Sequence, residues 1–398
     1  MRRSLKFWLQ VISSVVLLSM WLAACGGAVA VPAPPSASKA AADLKVTTQR
    51  DLKIEGTRLI SLSPDGKWLA AMRGTSACII AVDTLADKQC AEVTTGVLDR
   101  QSFVWSPDSQ RIAFTEDLPR RMIESDIWTL AVDSGQLTDL TPDNMSGGIF
   151  KLPKDSPDML DTMPGWSPDG QSLIFSRSDR NSGSTTLYRI SVKGGSPEKI
   201  LDAPGSGPLA MWYGPRWLST GKIVYTVYYP KQTEPTNGVW LADRNGQNAK
   251  QLLAPDPQLG VPILADVSAK GDRALIWYIG AAQYGAKPNV AWVALLDLNN
   301  GETVPLKPAV EFLGPTNAAF SPDGSKIIYV YRSIADGQTL LAVRDVQGGV
   351  DNNILTQSES LGTTTESPMQ GLNWVNNDTV YAAGPGPGFG TLLTLGNK

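Results

Sequence analysis

The residues able to do chemistry in this 398-residue chain are mostly carboxylates, 38 Asp and Glu against 35 Lys and Arg, with three cysteines and no histidine. The missing imidazole excludes Ser-His-Asp and Cys-His catalysis and every imidazole-ligated zinc, copper or non-haem iron site. An enzyme here would have to work with carboxylates, lysine, tyrosine or a calcium ion. No pair of carboxylates has a spacing that demands catalysis. Calcium-loop, phosphate-loop and dinucleotide fingerprints are also missing, so no cofactor and no metal is expected. A net charge of −3 with interspersed signs leaves no basic footprint for nucleic acid.

Many of the aspartates sit in one recurring phrase. Ser-Pro-Asp-Gly occurs at 63–66, 167–170 and 321–324, and Ser-Pro-Asp-Ser at 106–109. Proline presets the second position of a type I turn, serine suits the first and glycine the fourth. These aspartates therefore read as turn formers. Each phrase follows a bulky residue and precedes a short apolar strand, as in Trp105…Ile112-Ala113-Phe114 and Trp166…Leu173-Ile174-Phe175. Three eroded copies follow Trp217, Val267 and Trp374.

The turns require strands on both sides of them. A second turn signal closes each unit (VDSGQ at 132–136, DRNGQ at 243–247, DLNNG at 297–301), and a short last strand follows. Each unit reads as a four-stranded antiparallel meander that cannot bury its faces alone, so units must stack around an axis. The expected fold is all-β: a β-propeller of seven four-stranded blades over residues 46–398, with six as the alternative count. The WSPDG-x-x-IAF pattern resembles the TolB-like, WD-like propeller repeat, which also occurs in prolyl oligopeptidase propellers. The resemblance implies a propeller without the extra TolB domain, for which there is no room, and without a peptidase domain, whose histidine is missing. The bulky residues Leu62, Trp105, Trp166, Trp217, Val267, Phe320 and Trp374 read as core between blades rather than as a cofactor box. The strand-like segment Val46–Ile54 precedes the first turn, and the last unit lacks an outer strand. That segment is expected to close the ring, which would remove an exposed edge.

The N-terminus carries targeting information. Arg2, Arg3 and Lys6 precede an apolar stretch from Phe7 to Leu22, too short and too polar to span a bilayer. Leu22-Ala23-Ala24-Cys25 resembles a bacterial lipobox, which implies cleavage after residue 24 and acylation of Cys25; an ordinary signal peptide is the plainer reading. The Pro- and Ala-rich residues 25–45 read as a tether. The expectation is a lipoprotein on the extracytoplasmic side of a cell membrane.

Cys78 and Cys90 bracket a predicted hairpin in the first blade. A turn centred at residue 86 would place Cys78 opposite Thr94, so a disulfide would need a bulge or a register shift. A disulfide and two buried thiols both remain open. With Cys25 acylated no other partner exists, which favours the disulfide.

The connections on one face are short and stereotyped, while those on the other are long and individual, and long irregular loops usually carry function. Arg120, Arg121, Phe150, Trp212, Tyr213, Tyr229 and Tyr284 fall in those stretches and suit recognition. The favoured function is non-catalytic binding of a protein, peptide or envelope polysaccharide on that face. The alternative is a histidine-free hydrolase or lyase with a carboxylate or calcium site in the central channel.

Overall fold

In a computed structural model the described residues are 40–93, 103–116, 125–142, 159–179, 184–204, 211–229, 234–257, 259–280, 293–306, 318–332, 339–348, 350–357, 372–383 and 389–397. They form seven four-stranded antiparallel sheets arranged in a ring, a seven-bladed propeller. The innermost strands of blades 1 to 7 are Thr57–Leu62, Val104–Trp105, Met159–Trp166, Met211–Trp217, Gly260–Val267, Ala318–Phe320 and Leu372–Asn376. In blades 1 to 6 the next three strands follow outward in sequence order.

Blade 7 is the exception. Its outermost strand is Leu44–Lys53, paired with Phe389–Asn397 from Leu44↔Asn397 to Lys53↔Phe389. The N-terminal strand thus closes the ring as expected. The folded part begins earlier than the sequence indicated, because Ala41–Asp43 form a 3-10 turn ahead of the strand. The Ala41 N–H donates to both oxygens of Asp345 (3.2 and 3.1 Å), and the Asn352 amide donates to the carbonyls of Ala41 and Leu44 (2.8 and 2.6 Å). Both partners belong to blade 6, so this entry point is clamped across two blades.

The cores lie between blades rather than within them. Ala70, Met72 and Ile79 of blade 1 pack against Trp105, Ile112 and Phe114 of blade 2. Leu52 and Tyr381 of blade 7 pack against Leu62 and Leu69 of blade 1. Leu62, Trp105, Trp166, Trp217, Phe320 and Trp374 are all buried, as their spacing predicts. Val267 is only half-buried. The shorter valine leaves that interface to Leu264, Ile276 and Tyr278. Among the described residues no helix is long and apolar enough to cross a membrane.

Candidate functional site

The topology sorts the connections onto two faces. Those between the first and second strands and between the third and fourth span two to six residues and share one face, here the turn face. The opposite, long-loop face carries the connections 140–158, 281–292, 306–317 and 358–371. Cys25, Arg120, Arg121, Phe150 and Tyr284 lie outside the described residues. Trp212 and Tyr213 are not in a loop: they belong to the innermost strand of blade 4, opposite Val227 and Thr226, at its long-loop end. Tyr229 is buried, its hydroxyl donating to the Pro204 carbonyl at 2.8 Å and its N–H to Asn237 Oδ1 at 2.5 Å. It packs between blades 3 and 4, in one cluster with Ile174 and Leu187, and is not part of the surface.

At the long-loop ends of blades 2 and 3 a buried polar network holds the roots of two connections. Arg177 forks onto Asp161, Nε to Oδ1 at 2.6 Å and Nη2 to Oδ2 at 2.5 Å. Its guanidinium lies over the rings of Phe175 and Tyr188. Ser125 exchanges hydrogen bonds with the Asp161 backbone, and Thr141 donates to Asp126. Burial acts to lower the Arg177 pKa, but the Asp161 hydrogen bonds and charge outweigh it and hold the group above its usual value. A pair this engaged is structural, since removing one member would strand a buried charge.

On the turn face the repeated aspartates are occupied by their own turns. Ser167 Oγ donates to Asp169 at 2.6 Å, the Gln171 N–H donates to the same oxygen at 3.0 Å, and the Ser172 N–H donates back to Ser167 Oγ. The Ser63, Ser106 and Ser321 turns repeat this wiring. The Ser167 hydroxyl and Gln171 N–H hold the Asp169 carboxyl below its ordinary range.

The channel supplies a group of residues that sequence reading missed. The residue before each bulky position is Ser61, Val104, Gly165, Arg216, Asp266, Ala319 and Asn373 in blades 1 to 7. Indoles reach back one blade to this layer. Trp105 Nε1 donates to the Ser61 carbonyl (3.1 Å), Trp166 to Val104 (2.8 Å) and Trp374 to Ala319 (3.3 Å). Blade 6 has phenylalanine there, and Asp266 instead accepts the Phe320 N–H at 2.8 Å. Burial raises the Asp266 pKa against hydrogen bonds from the Phe320 and Val267 backbone and the Arg216 charge. Burial lowers that of Arg216, opposed by Asp266. A cavity of ≈ 280 Å³ opens beside this layer, walled by Ser61, Phe103, Met163, Gly214, Arg216 and Asn373 among others.

No family model matches the chain, and no curated protein matches its sequence. Solved structures do resemble it. An oligogalacturonate lyase in complex with manganese aligns with a TM-score of 0.60 at 12% identity, covering 90% of this chain and 99% of the other. A prolyl endopeptidase aligns at 0.51 and 15% identity, over 78% of this chain and 42% of its own. A putative TolB from Agrobacterium tumefaciens aligns at 0.44 and 17% identity, over 77% and 99%. At these identities the likeness to the lyase and the endopeptidase shows the propeller fold and nothing finer.

Among the described residues the channel layer offers one carboxylate, Asp266, already held by two N–H groups. Hydrolysis by paired carboxylates needs a second one about 5–9.5 Å away. The other site with a chemical bond to report is the outer edge of blade 1, where Cys78 and Cys90 are joined by a disulfide with Cα atoms 4.1 Å apart. They lie directly opposite each other because the register shifts between Ile79 and Ile80, with Leu85 in the adjoining turn at φ 55°.

Proposed function

We propose that the protein is a non-catalytic propeller, held to the extracytoplasmic side of a cell membrane by acyl chains on Cys25, that binds a protein, peptide or envelope polymer on its long-loop face. The observation behind this reading is the sorting of connections: short turns on one face and every long one on the other. Variable loops on a rigid frame are the usual way a propeller acquires a binding surface. The Asp161–Arg177 network gives two loop roots that rigidity. Capture from native membranes with the full-length protein is the test. Alanine at Trp212 with Tyr213, and separately at Arg120 with Arg121, should weaken capture of the recovered partner at least tenfold with little change in the melt. Normal capture by both variants, together with loss of capture on changing the Ser-Pro-Asp-Gly turns without unfolding, would move the site to the other face.

A further inference from the structure

Besides Ser63, whose hydroxyl is taken up by its own turn, the cavity at the turn-face end of the channel is bordered by three polar residues from three blades: Ser61, Arg216 and Asn373. They share one position in the repeat, the residue before the bulky anchor. Among the described residues none of them is hydrogen-bonded to the side chain of another channel residue. Arg216 Nη1 donates only to the carbonyl of its neighbour Pro215, at 3.3 Å, and makes no ion pair among the described residues. Asp266 lies close enough to act on it by charge, but its carboxylate is directed to the Phe320 and Val267 N–H groups.

The backbone makes room for this guanidinium. Gly214 has φ 48°, and a Cβ there would sit 3.2 Å from Arg216 Nη1. The chain bulges between Tyr213 and Arg216, as it does between Thr162 and Gly165 one blade earlier. In blade 3 the equivalent residue is Gly165, where a side chain would collide with the Pro215 carbonyl at 2.5 Å. A large cation is thus admitted at one blade and excluded at the preceding one.

A planar guanidinium whose nearby carboxylate is turned to backbone N–H groups, beside an amide and a hydroxyl, matches an anion with flat, forked oxygens. One cation with a carboxylate nearby suits a single negative charge better than a doubly charged phosphate. Phe103, Met163 and Pro164 give the cavity apolar walls, and its volume is below the range typical of drug-sized ligands. We infer that Ser61, Arg216 and Asn373 form a binding site for a small monocarboxylate, with Arg216 holding the carboxylate and the other two its neighbouring polar atoms. The site lies at the opposite end of the channel from the long loops, so it does not depend on the binding face proposed above.

Saturation-transfer NMR on the full-length protein in detergent tests the inference. Two acids serve as probes, D-gluconate for a free hydroxy acid and N-acetylglycine for a chain terminus. Sorbitol and N-acetylglycinamide are their uncharged counterparts. At least one acid should bind saturably, and its neutral counterpart at least about tenfold more weakly, the usual worth of a charge-assisted hydrogen bond. Which acid binds identifies the source of the carboxylate. Arg216→Gln should weaken binding by a similar factor while leaving capture on the long-loop face unchanged. Should that variant fail to fold, the acid-against-neutral comparison on the unaltered protein still decides, and Asn373→Ala should weaken binding several-fold. Failure of both acids to bind, equal binding of the neutral compounds, or full binding by Arg216→Gln would overturn the inference.

Discussion

Trp166 Nε1 donates to the carbonyl of Val104 at 2.8 Å, a partner 62 residues earlier in sequence and one blade back in space. The indole thus does two jobs, filling the space between blades and tying one innermost strand to the next. Trp105 and Trp374 do the same. Trp217 is equally buried, but its Nε1 has no acceptor among the described residues. One repeat position therefore offers a tryptophan with the hydrogen bond and one without it.

That contrast can be measured. Trp166→Phe and Trp217→Phe both shrink a buried ring, but only the first removes a hydrogen bond. Trp166→Phe should be the more destabilising by about 1 kcal/mol, the usual net worth of one hydrogen bond. Denaturant midpoints at equal slope would read the difference; equal midpoints would mean the bond contributes nothing.

The Cys78–Cys90 bridge closes a short loop at the outer edge of blade 1, with Cys90 exposed. Loop-closure arguments give about 3 kcal/mol for a ring of this size. Reductant, or Cys90→Ser, should lower stability by about 2–3 kcal/mol, and the denatured protein should show no free thiol at either position before reduction. Thiol labelling of both cysteines without reductant would contradict the bridge.

Deleting residues 43–55 removes the outer strand of blade 7 and exposes its pairing edge. The melt should fall by at least about 5 °C, or the protein should aggregate through the open edge. An unchanged melt would count against closure by this strand.

Asp169 carries a pH signature. Its folded pKa lies below the unfolded value, so its contribution is present above the unfolded value and is lost as pH falls through the folded one. Asp169→Asn should therefore be less stable than the parent at pH 7, and the gap should close below pH ~4. A gap that stays constant across that window would assign the turn's stability to geometry alone.

Acylation has a direct assay. Cys25→Ser should accumulate an uncleaved precursor that no longer incorporates a palmitate analogue. Labelling equal to that of the parent would exclude Cys25 as the modified residue.

The blade count was legible because Ser-Pro-Asp-Gly is a local code: proline, serine and glycine each meet a backbone need inside four residues. The Cys78–Cys90 register was not legible, since it depends on a one-residue shift that regular strand counting cannot supply. Gly214-Pro215 reads as a chain breaker and pushed Trp212 and Tyr213 into a loop. In the fold the pair forms a bulge within a continuing strand. Arg216 and Asp266 were overlooked for a related reason. Each stands beside a residue with an obvious packing role, and only aligning the repeats shows the column Ser, Val, Gly, Arg, Asp, Ala, Asn. Its polar members are unlike the apolar residues expected of a packed repeat.

The clamp on Ala41 fixes where the chain leaves the propeller. Leu44 pairs with Asn397 at the end of blade 7 where the other blades make their outer hairpins, so the chain exits on the turn face. The ten-residue edge strand then climbs about 33 Å to the opposite face. Anything joined ahead of Ala40 therefore starts from the turn face, a full strand length away from the long loops.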